Sequence, residues 1–211
     1  MAVLESTSER AASTRQPSSV NAVLVGLVAG LMVGAFTSPL QGWLADSVSS
    51  LANSAGTWSL VAFVVARRSP SAAVGAIVAA VTLAMCELGY VLANEVRGGS
   101  NATSTVVFWI AAAVLAGPPL GVAASWSQRP HPLRRGAGFG VMSGVLLGEG
   151  IYGLAKVSDT TDGRYWVVEI GVAVGVVGWV AIRHRTVRVI ISCIGMTGAA
   201  AAVVYCVAVS A

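Results

Sequence analysis

Apolar residues run along this chain in long unbroken stretches, without the short-period alternation of half-buried strands or surface helices. Seven stretches approach the roughly 20 residues that an α-helix needs to cross a bilayer core. They cover approximately 20–40, 51–66, 71–95, 104–126, 137–156, 164–182 and 188–210. The pattern predicts an all-α fold, a polytopic transmembrane helical bundle of about seven spans. The second stretch is the weakest, because only Trp58 to Ala66 is continuously apolar and its lead-in carries Ser49, Ser50, Asn53, Ser54 and Thr57. It predicts a short helix with a re-entrant or pocket-lining lead-in, which is tolerated where backbone is buried in protein or lines a cavity. Residues 1–19 are polar and lack the compact basic start of a secretory signal. They predict a disordered cytoplasmic tail ahead of a single membrane domain, 20–211.

The polar punctuation between the stretches sets the orientation. Counted in alternate loops, one set holds Arg10, Arg15, Arg67, Arg68, Arg129, Arg134, Arg135, Arg183, Arg185 and Arg188, and the other only Arg97, Lys156 and Arg164. Because cytoplasmic loops carry the excess of basic residues, the count predicts a cytoplasmic N-terminus and an external C-terminus. Seven spans are needed to keep the clusters on one side. Composition agrees with this reading: 55% of residues are hydrophobic and 10% charged, where soluble domains carry about a quarter charged. The net charge of +4 falls in those loop clusters, so the expected surroundings are a lipid bilayer, and no nucleic-acid face is predicted. Arginine outnumbers lysine twelve to one in a chain rich in alanine, valine and glycine, which suggests a GC-rich bacterial genome. The acceptor-like triplet Asn101-Ala102-Thr103 is then a chance match.

Within the spans, Gly117-Pro118-Pro119 predicts a kink or break in the fourth helix, since proline removes a backbone donor and clashes with the preceding turn. A hinge and a static bend are both open. Glycine ladders at Gly26, Gly30 and Gly34 and at Gly140, Gly144 and Gly148 place small residues on one face and let another backbone approach closely. They fall on the first and fifth spans, which permits a parallel three-plus-one-plus-three repeat, the arrangement of some small sugar and vitamin carriers.

The candidate chemistry rests on three glutamates. Glu87, Glu149 and Glu169 interrupt spans where a carboxylate costs several kcal/mol on most scales, roughly 3 or more. By helix rise, Glu87 lies about 24 Å from Ser71, Glu149 about 18 Å from Ala137, and Glu169 about 8 Å from Arg164. All three therefore fall in the middle or outer half, where they can share one outward-facing pocket. Aromatic residues lie three or four positions away on the same faces: Tyr90 by Glu87, Tyr152 by Glu149, Tyr165 and Trp166 by Glu169. Carboxylates with aromatic rings bind organic cations through charge and the negative ring face. The predicted substrate-binding set is therefore Glu87, Glu149, Tyr90, Tyr152, Trp58, Asn53 and Glu169. The alternative makes Tyr165 and Trp166 part of an interfacial aromatic belt, with Glu87 and Glu149 neutral and hydrogen-bonded to tyrosine or backbone.

Other chemistry is sparse. Cys86, Cys193 and Cys206 lie in apolar runs without metal-ligand spacing and read as small buried hydrophobes. His131 and His184 fall in loops among arginines, and Ser54 and Ser143 have no nearby base, so neither an enzyme nor a metal or other cofactor is expected. The stretch from Arg129 to Arg135 reads as a topology anchor on anionic headgroups.

Three strings, Leu51-Ala52-Asn53-Ser54-Ala55-Gly56-Thr57-Trp58 with Val61-Ala62-Phe63, Ala116-Gly117-Pro118-Pro119-Leu120-Gly121, and Gly144-Val145-Leu146-Leu147-Gly148-Glu149-Gly150-Ile151-Tyr152, resemble an actinobacterial family of small multi-pass membrane proteins that carries a domain-of-unknown-function label. The resemblance spans most of residues 20–182. It implies a bacterial inner-membrane location and no activity, and it draws attention to Asn53, Trp58, Gly117, Pro118, Glu149 and Tyr152. The leading expectation is a protein that binds or transports a small polar or cationic solute. The alternative is a non-transporting accessory protein that docks on a membrane partner, or on a second copy of itself, through its glycine ladders.

Overall fold

A computed structural model describes residues 18–45, 49–159 and 161–210. Among them are seven α-helices: α1 (Ser19–Trp43), α2 (Ala55–Ala66), α3 (Ala72–Val96), α4 (Thr103–Trp126), α5 (Pro132–Tyr152), α6 (Gly163–His184) and α7 (Val187–Ser210). All but α2 are long and apolar enough to cross a membrane, as an integral membrane protein requires. The predicted tail lies almost wholly outside the described residues, which begin at Ser18. The cap residues explain several starts. Ser18, Ser54 and Ser71 each accept a hydrogen bond from the backbone N–H three residues on, which satisfies one of the orphan donors of a first turn.

Helix α2 has 12 residues, about 18 Å of rise against a core of about 30 Å. The short helix with a special lead-in is thus observed. A 3₁₀ turn, Ser49–Asn53, precedes it. The irregular backbone there is tied down by side chains: the carbonyl of Ala52 accepts from Thr37 Oγ1 of α1 at 2.9 Å and from Trp58 Nε1 at 3.3 Å. Non-helical backbone at this depth is stable only when such partners replace water.

Helix α5 is the most deeply buried long helix, packed by α2, α4, α6 and α7. It begins at Pro132, earlier than its apolar stretch, because proline suits the first helical position and Arg134 and Arg135 sit at the bundle end. Burial explains how its glycines, Ser143 and Glu149 are accommodated without facing lipid. One π-helical turn, Gly153–Val157, follows, where a side chain on Gly153 would collide with the Trp166 ring.

The glycine ladders form two matching helix pairs. Gly26, Gly30 and Gly34 of α1 lie against the backbone carbonyls of Val78, Thr82 and Cys86 of α3. Gly136, Gly140 and Gly144 of α5 lie against those of Val189, Cys193 and Thr197 of α7. Both partners advance by four along both chains, so each pair is parallel and in the same register. A three-plus-one-plus-three repeat would require such a pairing of its outer helices. The middle helices differ, since α2 is a half-length helix and α6 a full one. Because the ladders are consumed inside the chain, they are not available as the partner-docking faces expected above.

Of the kink or break predicted at Gly117-Pro118-Pro119, the break does not occur, since α4 runs through both prolines as one helix. Gly117 abuts the backbone of Ala80 and Gly121 that of Gly75, so the glycines there serve an α3–α4 contact. Cys86 and Cys193 are buried as expected, but Cys206 is exposed on α7. Its half of α7 turns away from the bundle, which apolar residues do freely where lipid is the solvent.

Gly34 and Gly171 give a direct comparison. A methyl group on Gly34 meets the Cys86 backbone, whereas one on Gly171 has nothing within 4 Å. In detergent unfolding experiments, Gly34→Ala is expected to destabilise by about 1–3 kcal/mol through overpacking. Gly171→Ala should be neutral or stabilising by up to about 1 kcal/mol through helix propensity. Equal effects would refute the ladder as a packing device.

Candidate functional site

The first turn of α2 ends inside the bundle, and its N–H groups require an acceptor. Glu149 of α5 supplies it. Its carboxylate accepts from the Ala55 N–H at 3.0 Å, from Ser54 Oγ at 3.1 Å, and from the Gly56 N–H. Ser54 is used twice, since Oγ also accepts from the Thr57 N–H at 3.2 Å. The broken helix therefore presents its positive end to a buried acid of the same protein.

A second carboxylate faces the first. Glu169 of α6 is 4% exposed, and its carboxyl lies within hydrogen-bonding reach of Glu149, Ser54 and the Tyr165 hydroxyl. The position that a side chain on Gly56 would occupy is bordered by oxygens of both Glu169 and Glu149. Glycine at 56 is what lets the two acids converge on one helix end. Tyr165, one turn before Glu169, completes this face: its hydroxyl lies 3.4 Å from Thr57 Oγ1, and its ring packs edge-on against Trp166 at 4.7 Å. Both rings are buried, so they are not members of an interfacial belt.

Glu87 occupies a separate place. With Trp58, Ser59, Leu83, Trp109 and Ala55 it lines a cleft of about 80 Å³ between α2, α3 and α4. The Glu87 residue is buried, and Trp58 packs near Tyr90 with ring centroids 6.5 Å apart. The single pocket expected for all three acids is thus divided by the first turn of α2. Ala55 touches both halves, since its N–H bonds Glu149 and it lines the Glu87 cleft.

Of the predicted site residues, Glu149 and Glu169 meet at α2, Glu87 and Trp58 line the cleft, and Tyr90 packs near Trp58. Tyr152 is only half-buried, and no hydrogen bond or ring contact links it to the acids among the described residues. Position i+3 puts it on the same face of α5, but the π-helical turn follows directly and α6 takes up that space with Trp166. The side chain of Asn53 falls outside the described residues. Sequence reasoning had Ser54 in the lead-in and Tyr165 beside Glu169 without joining them to Glu149, and it had no role for Gly56. The sequence signal for Gly56 was its place two residues after an N-cap serine.

Chemically, two carboxyl groups and three hydroxyls on the positive end of a helix form a site for one positive charge. Like charges this close in a medium of low dielectric repel strongly, by about 4 kcal/mol at 4 Å even at an effective dielectric of 20. A proton or a small cation between them removes that cost. An 80 Å³ cleft has room for a few waters or a small ammonium group, well short of a drug-sized ligand.

A double-mutant cycle tests the anchor. Ser54→Ala should destabilise by about 1–2 kcal/mol through loss of cap and donor, and Ser54→Ala with Glu149→Gln should show coupling of about 0.5–3 kcal/mol. Additive effects in detergent unfolding would mean that the two side chains do not form one unit.

No curated protein and no solved structure matches the chain. A protein-family model does match it, over residues 13–211, and so takes in α7 and part of the tail, which the three sequence strings left out. By that match over nearly the whole chain, the protein belongs to the family of unknown function DUF6518.

Proposed function

We propose that this protein binds, and moves across the membrane, a small cationic or protonatable solute, with charge taken up at the Glu149–Glu169 pair. The observation that carries this reading is the Glu169 carboxyl, buried against the Glu149 carboxyl at the start of α2 with no basic side chain among its partners in the described residues. A fold gains nothing from such a pair by itself, because a buried charge without a partner is costly, and ionisable groups at membrane depth mark ion and proton paths. Broken helices whose ends point at bound charge are the usual substrate and coupling-ion sites of carriers.

In this reading Glu149, anchored by α2, holds position, and Glu169 exchanges its proton or cation. Glu87 with Trp58, Trp109 and Tyr90 supplies an acidic, aromatic cleft for an ammonium group. Ala55 joins the two, so that filling one perturbs the helix end that organises the other. The arginine-rich end faces the cytoplasm by the positive-inside rule, which places both acidic features nearer the external side of a bacterial plasma membrane. The reading needs no covalent chemistry and no cofactor, and energy would come from a coupled ion gradient or a separate subunit. An accessory role remains the alternative. It would rest on faces other than the ladders, which are occupied within the chain.

The test is a thermal-shift screen of the detergent-purified protein against amines, vitamins, nucleosides and sugars, repeated with Glu149→Gln and Glu169→Gln. Saturable binding stabilises the native state by mass action. A cationic ligand is expected to raise Tm in the wild type, with apparent affinity falling at least tenfold, about 1.4 kcal/mol, in either variant. Full retention of binding in both variants would sink the proposal.

A further inference from the structure

Among the described residues, all the arginines but Arg97 and Arg164 collect at the end of the bundle opposite the acids. Two adjoining cavities open there, of about 260 and 380 Å³. Arg67, Arg68 and Arg129 line the first, and Arg67, Arg135 and Arg183 the second. Arg67 and Gln128 border both, and Arg67 Nη2 donates to Gln128 Oε1 at 3.0 Å. Among the described residues no carboxylate lines either cavity, and the ion pair that is present, Arg164 with Asp162, belongs to the α5–α6 loop. The acids of the described residues are elsewhere: Glu87, Glu149 and Glu169 within the helices, Glu95 at the far end of α3, and Asp159 and Asp162 in that loop.

Part of this positive charge has a local explanation. The C-terminal ends of α2, α4 and α6 converge here, and each carries about half a negative charge that cations offset. Five guanidinium groups exceed what three helix ends balance, and the N-terminus of α5 adds positive potential. Arg67 shows the imbalance most clearly. It is half-buried, its Nε is buried with no hydrogen-bond partner among the described residues, and its guanidinium sits over the Phe139 ring at 5.5 Å. Burial lowers its pKa, yet arginine stays charged in proteins.

The rest of the wall is aromatic. Phe139 and Trp179 pack edge to face at 5.4 Å, and His184 lies 6.1 Å from Trp179. Trp179 is half exposed, and the adjacent Ile182 is largely exposed on α6. A charged cavity thus opens beside an apolar strip where lipid chains would run. Fixed, forked guanidinium donors match phosphate oxygens in pairs, and basic pockets between spans at this end of membrane proteins take phospholipid headgroups.

We propose that these cavities form a binding site for a phosphate-bearing anion, held between Arg67, Arg135 and Arg183 with Trp179 and Phe139 as its apolar wall. The phosphate belongs either to an anionic phospholipid or to a soluble phosphate compound, and the experiment separates them. Delipidated protein in zwitterionic detergent is titrated with phosphatidylglycerol, with phosphatidylcholine, and with inorganic pyrophosphate at matched ionic strength, reading Tm. Wild type is compared with Arg135→Gln/Arg183→Gln and with Arg164→Gln at the other end. The expected result is a saturable rise in Tm with phosphatidylglycerol but not with phosphatidylcholine, its apparent affinity falling at least tenfold in the double variant and unchanged in Arg164→Gln. A rise with pyrophosphate that is lost in the same variant supports the site and assigns it to soluble phosphates. No saturable response to either anion, or a response equal in all variants, overturns it. Should the double variant fail to fold, native mass spectrometry of the wild type decides: preferential retention of anionic over zwitterionic phospholipid supports the site, and its absence, with no pyrophosphate response, overturns it.

Discussion

The structure turns on the unsatisfied backbone at the start of α2. A helix that begins within an apolar bundle exposes N–H groups where water cannot solvate them, at several kcal/mol each, roughly 2–7. Glu149 meets two of them, and the Ser54 hydroxyl meets a third from its own chain. Much else follows from this arrangement. Gly56 must lack a side chain so that the carboxylate can approach. The preceding 3₁₀ turn must be held by Thr37 and Trp58 through the Ala52 carbonyl. Once Glu149 is anchored, α6 packing on α5 brings Glu169 to the same point, and the pairing of two buried carboxyls follows from a fold requirement.

Around that centre the frame is built from two copies of one device. In the α1–α3 and α5–α7 pairs, glycines every fourth residue seat one helix on the carbonyls of the next. Close backbone approach of this kind supplies dispersion and Cα–H to carbonyl contacts where lipid removes any hydrophobic drive for helices to associate. The copies are matched in register but carry different cargo. The middle helix is half-length in one and full-length in the other. The duplicated part provides rigidity and the unduplicated part provides the polar chemistry. Gly117 and Gly121 extend the same close packing to α4, which explains how a helix with two internal prolines remains continuous: its neighbour supports it along the weakened turn.

Charge is separated along the bundle axis. Among the described residues the acids lie inside or towards one end, and all the arginines but Arg97 and Arg164 lie at the other, with α2 running between the two regions from Gly56 to Arg67. The helix that carries the carboxylate anchor at its start therefore ends in the guanidinium shared by both basic cavities. Its dipole is favourable at both ends, with an anion at the N-terminus and a cation at the C-terminus. A short helix so polarised is held by charge where its length gives it little apolar surface.

The chain alone determined the spans, their approximate limits, the irregular second crossing and the collection of arginines in alternate loops. These are properties of local composition: transfer of a stretch into lipid depends on its own residues, nearly additively, and so can be read without knowing what packs where. The three acids and the two glycine ladders stood out for the same reason, because each is an exception to local apolarity or a spacing within one helix. Only the tertiary structure decided that Glu149 meets Ser54, 95 residues away, that Glu169 joins it while Glu87 does not, and that the ladders face inward. Tyr152 shows the limit well, since correct helical spacing put it on the same face as Glu149 and the neighbouring helix left it aside. Such pairings depend on how helices rotate and cross, and those are settled by close backbone contacts at glycines and by buried polar groups finding their one partner.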